Sequence, residues 1–148
     1  MSRVERAPGV FSAMEVAASG LTAQRSRMNI IAGNLANART TKTEDGTPYK
    51  RQDPVFVARP VAAQSADPVM RAIQKVEVSE IRQDPSAGQM VYDPGHPDAN
   101  AAGYVEYPNV NVVSEMVNMM SATRAYEAGV TSIESLKSMA RSAIKIGR

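Results

Sequence analysis

Cysteine and tryptophan are missing from this 148-residue chain, which holds only two phenylalanines, five tyrosines and one histidine. Without cysteine there is no disulfide frame, no thiol nucleophile and no cysteine-ligated metal. The lone histidine, His96, falls short of the several ligands a metal site needs. It also lacks the nucleophile and orienting partner of a catalytic histidine. Gly-rich phosphate loops, nucleophile elbows and paired carboxylates on one helix face are absent too. The sequence therefore predicts no enzyme, no cofactor and no metal site. No apolar run has the length of a membrane span or of a signal-peptide core, so neither direct membrane insertion nor a cleavable signal is expected. Taken alone, that places the protein in the cytoplasm. A net charge of +2 is too small to point to nucleic acid, and stacking aromatics are missing beside the basic stripe at Lys137.

Hydrophobic residues make up 43% of the chain, but much of that is alanine. A large buried side chain contributes roughly 1.5–3 kcal/mol, whereas ordering each residue's backbone costs about 1–2 kcal/mol. The margin is thin. A monomer loosely ordered alone and firmer on assembly is the expectation.

Both ends of the chain carry the pattern of long amphipathic helices. Met14, Ala17, Leu21, Gln24, Met28, Ile31 and Leu35 step by three and four, as do Met116, Met119, Thr123, Tyr126, Val130, Ile133, Lys137, Ala140 and Ile144. Such steps keep one stripe facing one way, the seam pattern of coiled coils. Gln24, Thr123 and Lys137 interrupt the seams with polar groups. Ser12 and Glu15 are spaced as a capping box for the first helix, which is expected to end near Asn37. The second is expected from Val110–Ser114 to Ile146, with Gly147 ending it.

Eight prolines lie between Pro48 and Pro108, so no long helix crosses the middle. Short strand patterns occur there at Val55–Val57, Val76–Ser79, Met90–Tyr92 and Gly103–Tyr107, with turns at 44–48 and 84–88 and a weak linker at 62–67. The predicted fold is α+β: long N- and C-terminal helices paired as an elongated coiled coil, with a small β-rich middle. The predicted organisation is a disordered lead at 1–10, a paired terminal-helix core from 11–39 and 110–148, and a proline-bounded middle at 40–109.

Charge is unevenly placed. Seven acids and only Arg82 fall between Val76 and Glu115, while the chain after Ser135 has only Lys137, Arg141, Lys145 and Arg148. The first three of these form one basic stripe. Cations suit a helix C-terminus, and matching of a basic end to another subunit's acidic middle is the alternative reading.

Three blocks then give a resemblance. Ile31-Ala-Gly-Asn-Leu-Ala-Asn37 resembles the Ala-Asn-Leu-Ala-Asn signature of the bacterial flagellar axial proteins of the rod and hook. Val91-Tyr-Asp-Pro-Gly-His-Pro-Asp98, followed by Gly103-Tyr-Val and Pro108-Asn-Val-Asn111, resembles the proximal-rod members of that family. So does Val113-Ser-Glu-Met-Val-Asn-Met-Met-Ser-Ala-Thr-Arg-Ala-Tyr126. The likeness runs in order from about Phe11 to the C-terminus. It implies a non-enzymatic subunit of the flagellar basal-body rod in the periplasm, exported by the flagellar type III apparatus without signal cleavage. This overrides the cytoplasmic placement. The implied partners are further copies of itself, the rod proteins FlgB, FlgF and FlgG, the junction protein FliE and the MS ring. A distal-rod protein is the alternative within the family, disfavoured by the short middle. A cytosolic coiled-coil adaptor is the alternative outside it.

The chain departs from the family pattern at Gly33, where alanine or serine is common, at a cost of ~1 kcal/mol in helix propensity. It departs again at Glu127-Ala-Gly129, where Gln-Ala-Asn is frequent. The residues expected at subunit interfaces are Met14, Leu21, Met28, Ile31, Asn34, Leu35 and Asn37 on the first helix. On the second they are Met116, Met120, Arg124, Tyr126, Val130, Ile133, Leu136, Met139 and Ile144. Asn34 and Asn37 either end the helix or fix its register against the opposite helix. The methionines either fill core gaps or give soft contacts to unlike neighbours. Arg124 and Tyr126 are types that favour interfaces, and the loop around His96 reads as a rigid contact surface.

Overall fold

A computed structural model describes residues 8–63 and 67–146. Helix α1 spans Pro8–Ala36, strand β1 Gln52–Pro60, the short helix α2 Pro68–Ala72, β2 Gln74–Gln83, β3 Gln89–Tyr92, β4 Tyr104–Tyr107 and helix α3 Val112–Ile146. This is the α+β arrangement of two long terminal helices around a small β region. Among the described residues no helix is long and apolar enough to cross a membrane.

Helix α1 begins at Pro8, whose fixed φ and missing N–H suit a first helical position. Ser12 therefore lies inside the helix, so the expected capping box is corrected. Of the expected lead, residues 8–10 are helical and 1–7 lie outside the described residues. At the other end the Asn37 side chain donates to the Gly33 carbonyl (2.9 Å) and accepts from the Thr40 hydroxyl (3.1 Å), which completes the last turn. Asn111 caps α3: its Oδ1 accepts from the Ser114 N–H at 3.0 Å, and its carbonyl from the Glu115 N–H. Gly147, the expected stop of α3, lies outside the described residues.

The strands form two two-stranded sheets, β1 with β2 and β3 with β4. In such a sheet both strands are edges, which is why Pro54 can sit within β1. β3 and β4 are antiparallel with Met90 opposite Glu106 and Tyr92 opposite Tyr104, whose rings meet edge to face at 5.2 Å. Gly88 leads into β3 where a Cβ would strike the Tyr107 carbonyl, so no other residue fits. The helix α2 falls in a stretch whose sequence shows no helical pattern.

The chain forms two compact units. One comprises Met1–Arg25, Phe56–Ser79 and Thr123–Arg148, the other Ser26–Val55 and Glu80–Ala122. Each mixes helix and strand. In the first unit the Ser19 hydroxyl accepts the Val76 N–H at 3.1 Å and Lys75 lies 3.7 Å from Glu15, so α1 is tied to β2. The core of the second holds Ile31, Val105 and Ala122 together with the buried polar pair Asn34 and Glu115.

The seam of α1 is placed as expected, with Met14, Ala17, Leu21, Gln24, Met28, Ile31 and Leu35 all buried or half-buried. On α3 the pattern is shifted at its start. Glu115 and Ala122 face inward, while Met116 is exposed. Farther along, Tyr126, Val130, Ile133 and Ala140 are half-buried, and Lys137 and Ile144 are exposed. Gly129 meets Leu21: a Cβ there would lie 2.7 Å from Leu21 Cδ2 and 3.3 Å from Cγ. The glycine that departs from the family pattern thus admits a leucine.

Two mid-helix glycines give a paired prediction. Gly33 has open space where a Cβ would go, so Gly33→Ala raises the unfolding free energy by about 1 kcal/mol. Gly129→Ala has the same local gain, but overpacking against Leu21 costs roughly 1–3 kcal/mol. Chemical denaturation of both variants is expected to show stabilisation only at Gly33. A Leu21→Ala, Gly129→Ala double variant then shows positive coupling; additive effects would remove the packing explanation.

Candidate assembly site

Asn34 is fully buried (0% exposed), at the last turn of α1. Its Oδ1 accepts from the Tyr49 hydroxyl and from the Gln52 backbone N–H, each at 2.9 Å. Its Nδ2 donates to the Gln52 carbonyl and to Glu115 Oε2, again each at 2.9 Å. Every donor and acceptor of the side-chain amide is used. Towards Gln52 the amide behaves as a neighbouring peptide would, offering both an acceptor and a donor to the first residue of β1.

Glu115 is 1% exposed, and an unpaired carboxylate there would be costly. Arg51 Nε lies 2.9 Å from its Oε1 and supplies the opposite charge. The same guanidinium reaches Asp53. Burial alone would lower the Arg51 pKa, but its hydrogen bonds to Asp53 and Glu115 outweigh that and the net direction is upward. The Arg51 backbone is held as well, its N–H by Asn109 Oδ1 at 2.8 Å and its carbonyl by the Asp84 N–H at 2.8 Å. Asn109 Nδ2 in turn donates to the Asp84 carbonyl at 3.2 Å. Hydrogen bonds from Ser86 hold the Asp84 carboxyl below its usual range. The clamp thus joins α1, β1, the turn before β3, the segment before α3 and α3 itself.

The outer side of α3 is different. Val113, Met116, Val117 and Met120 are each more than half exposed. Their i, i+3, i+4, i+7 spacing puts them on one face, as anchors of a helix that docks in a groove are spaced. Nothing in the described chain needs that face to be apolar. Met120 and Met116 among the expected interface residues belong to it. Arg124, Met139 and Ile144 are also exposed, whereas Met14, Leu21, Met28, Leu35, Asn37, Tyr126, Val130, Ile133 and Leu136 are half-buried and Ile31 and Asn34 buried. The structure therefore separates the expected set into inward residues and outward ones.

Sequence reasoning missed Glu115 and Arg51. An acidic residue in the first turn of a helix is ordinary, and its cation lies 64 residues away. His96 serves its own loop, with Nδ1 accepting the Asp98 N–H at 3.1 Å. Among the described residues no three potential metal ligands cluster. An open depression of about 420 Å³ lies beside β3 and β4, lined by Thr41, Lys42, Met90, Asp98 and Tyr104 among others.

Two outcomes follow from the clamp. Asn34→Leu strands the Gln52 peptide, the Tyr49 hydroxyl and one Glu115 oxygen, and a buried polar group left unsatisfied costs about 1–3 kcal/mol. A loss of several kcal/mol in urea unfolding is expected; a midpoint equal to that of the parent would show that the clamp bears no load. The second outcome concerns pH. Burial first, and the Glu115 charge second, raise Tyr49 above its ordinary 10.0. The unfolded chain then ionises before the folded one, so stability is full below pH 10 and falls as pH rises through the higher folded value. Tyr49→Phe should flatten that fall above pH 10, measured by denaturant midpoints on either side of it; an unchanged slope would assign it to other groups.

Comparison with known proteins gives the family. Residues 14–41 match the family model "Flagella basal body rod protein", and residues 101–146 match "Flagellar basal body rod FlgEFG protein C-terminal". The "Flagellar basal-body rod protein FlgC" of Borreliella burgdorferi is 47% identical, with 93% of this chain and 97% of that protein covered. The protein of the same name in Bacillus subtilis is 39% identical (93% and 98% covered), and that of Escherichia coli O6:H1 is 40% identical (94% and 98%). The first matched segment contains Asn34, the second contains Glu115 and the outward apolar face. With near-complete coverage at such identities, the chain belongs to the flagellar basal-body rod protein FlgC family and is a structural subunit of the flagellar basal-body rod.

Proposed function

We propose that the chain builds the proximal rod, next to the membrane rings, by packing its terminal helices against those of neighbouring rod subunits. The observation that carries this reading is the outward face of α3, where Val113, Met116, Val117 and Met120 stand exposed on one side of a helix whose other side buries Glu115 and Ala122. Apolar patches of that kind on a soluble surface mark interaction sites. The two remaining exposed interface candidates on α3, Met139 and Ile144, extend the supply of such contacts. The inward candidates, from Met14 to Leu35 and from Tyr126 to Leu136, hold the shape that presents them. In this reading residues 11–39 and 110–148 form the assembling core and the 40–109 segment braces neighbours.

The subunit acts without catalysis, as a part of a shaft and of the channel within it. Its partners are further copies of itself, the rod proteins FlgB, FlgF and FlgG, FliE and the MS ring, and it reaches them through the flagellar type III apparatus. Methionine suits such a place, because a flexible thioether side chain adapts to non-identical neighbours.

The test is replacement of the chromosomal gene by a Met116→Glu, Met120→Glu version. Both side chains are exposed, so stability should change by less than about 0.5 kcal/mol per site, read from thermal melts of the purified protein. Cells are expected to be non-motile, with basal bodies that stop at the membrane rings in electron micrographs. Motile cells with complete rods would remove this face from assembly.

A further inference from the structure

The chain has nine methionines and no cysteine, so its thioethers are its only sulfur open to two-electron oxidation. Among the described residues they divide by exposure. Met14, Met28 and Met119 are half-buried, whereas Met90, Met116, Met120 and Met139 are each more than half exposed. Two of the exposed four, Met116 and Met120, stand one turn apart on α3, on the face they share with Val113 and Val117. Leucine at either position would give a comparable apolar surface without the reactive sulfur.

An exposed thioether reacts with hydrogen peroxide through a sulfur lone pair, which attacks one peroxide oxygen. The O–O bond breaks and an S–O bond forms. The sulfur gives up two electrons, the peroxide is reduced to water, and the product is methionine sulfoxide. One thioether and one peroxide thus become one sulfoxide and one water. The new oxygen is an acceptor on a side chain that was apolar. Carried into contact with an apolar neighbour, it is buried without a donor, which is costly. Losing the burial of one large apolar side chain weakens a contact by roughly ten- to hundredfold, and this face carries two.

We infer that Met116 and Met120 form an oxidation site, at which peroxide converts the thioethers of the unassembled subunit to sulfoxides and bars that subunit from the rod. The inference rests on the rod-assembly reading and adds a chemical control to the same face. Once a neighbour covers the face, peroxide no longer reaches the two sulfurs. Built rods are then protected, and only new subunits are rejected. The softness that suits methionine to unlike neighbours and its sensitivity to peroxide come from one atom. Methionine sulfoxide reductases reverse the reaction, so a rejected subunit is recoverable.

The first measurement treats the full-length protein with dilute hydrogen peroxide and maps the products by peptide mass. Met116 and Met120 are expected to gain oxygen several-fold faster than Met14, Met28 and Met119; equal rates overturn the inference. In cells, synthesis of the chain is switched on during a brief peroxide pulse that catalase ends, and rods form afterwards. Sulfoxide at Met116 and Met120 should be roughly tenfold or more rarer in the rods than in the unassembled pool. Equal amounts in rods and pool overturn the inference. A Met116→Leu, Met120→Leu strain separates rejection from general damage, each strain being compared with itself without peroxide. The parent is expected to lose a several-fold larger share of its new rods than the leucine strain, and equal losses overturn the inference. Its failure is distinct from failure of the rod-assembly reading. Sulfoxide-bearing subunits that enter rods freely, while the Met116→Glu, Met120→Glu cells lack rods, remove only the oxidation site. Complete rods in the glutamate cells remove the assembly face and the oxidation site with it.

Discussion

The pairing of one buried amide with one peptide, Asn34 against Gln52, is the constraint on which the second unit is arranged. Asn34 must sit where both its ends are satisfied, and that fixes the end of α1 against the first residue of β1. Its fourth bond runs to Glu115, so α3 is held by the same side chain. Glu115 in turn requires a cation, which among the described residues Arg51, one residue before Gln52, supplies. The ring of dependence closes within a few ångströms. Replacing buried ion pairs by apolar groups is often neutral or stabilising, whereas breaking one costs about 3–5 kcal/mol. Such a clamp therefore does little for net stability and much for the choice of one arrangement.

That choice matters in a chain with so small a core. Few apolar side chains are fully buried among the described residues, Ala23, Ile31, Val105 and Ala122, and two of them are alanines. An apolar contact is non-directional and would tolerate α1 and α3 sliding by a turn. The clamp does not, since any slip would leave Asn34 and Glu115 buried without partners. Polar groups thus set the geometry, and the leucine that fills the space at Gly129 adds a steric stop in the other unit.

Much of this was legible in the sequence. The α1 seam, the four strands and the proline-bounded middle follow from local periodicity and turn chemistry. The role of Asn34 was open between a helix stop and a register element, and the structure divides the two asparagines: Asn37 ends the helix, Asn34 reaches across to α3. What periodicity misplaced was the start of α3. The first rung of the ladder, Met116, lies one residue away from the buried Glu115, while Met119, Thr123, Tyr126, Val130 and Ile133 fall on the half-buried side. The reason is physical. A helix with apolar residues on its outer side and a compensated carboxylate on its inner side reverses the usual pattern, and periodicity alone does not distinguish residues buried in the fold from apolar residues exposed on it. Arg51 was illegible for a related reason, because its partner is remote in sequence. The start of α1 at Pro8 was hidden by a plausible capping box, which proline at a first helical position made unnecessary.

The outward face of α3 shows why one contact is too little for assembly. Burying Val113, Met116, Val117 and Met120 gains roughly 1.5–3 kcal/mol apiece, and association costs an estimated 4–15 kcal/mol in lost translational and rotational freedom. The two are of similar size, so a single apolar seam lies near break-even. A stable shaft therefore needs each subunit to meet several neighbours at once, when the entropy lost in placing a subunit is shared among its contacts. This gives a physical sense to exposing so much apolar surface on so small a core: a subunit that is weakly adhesive in pairs stays apart until a growing end offers several faces together.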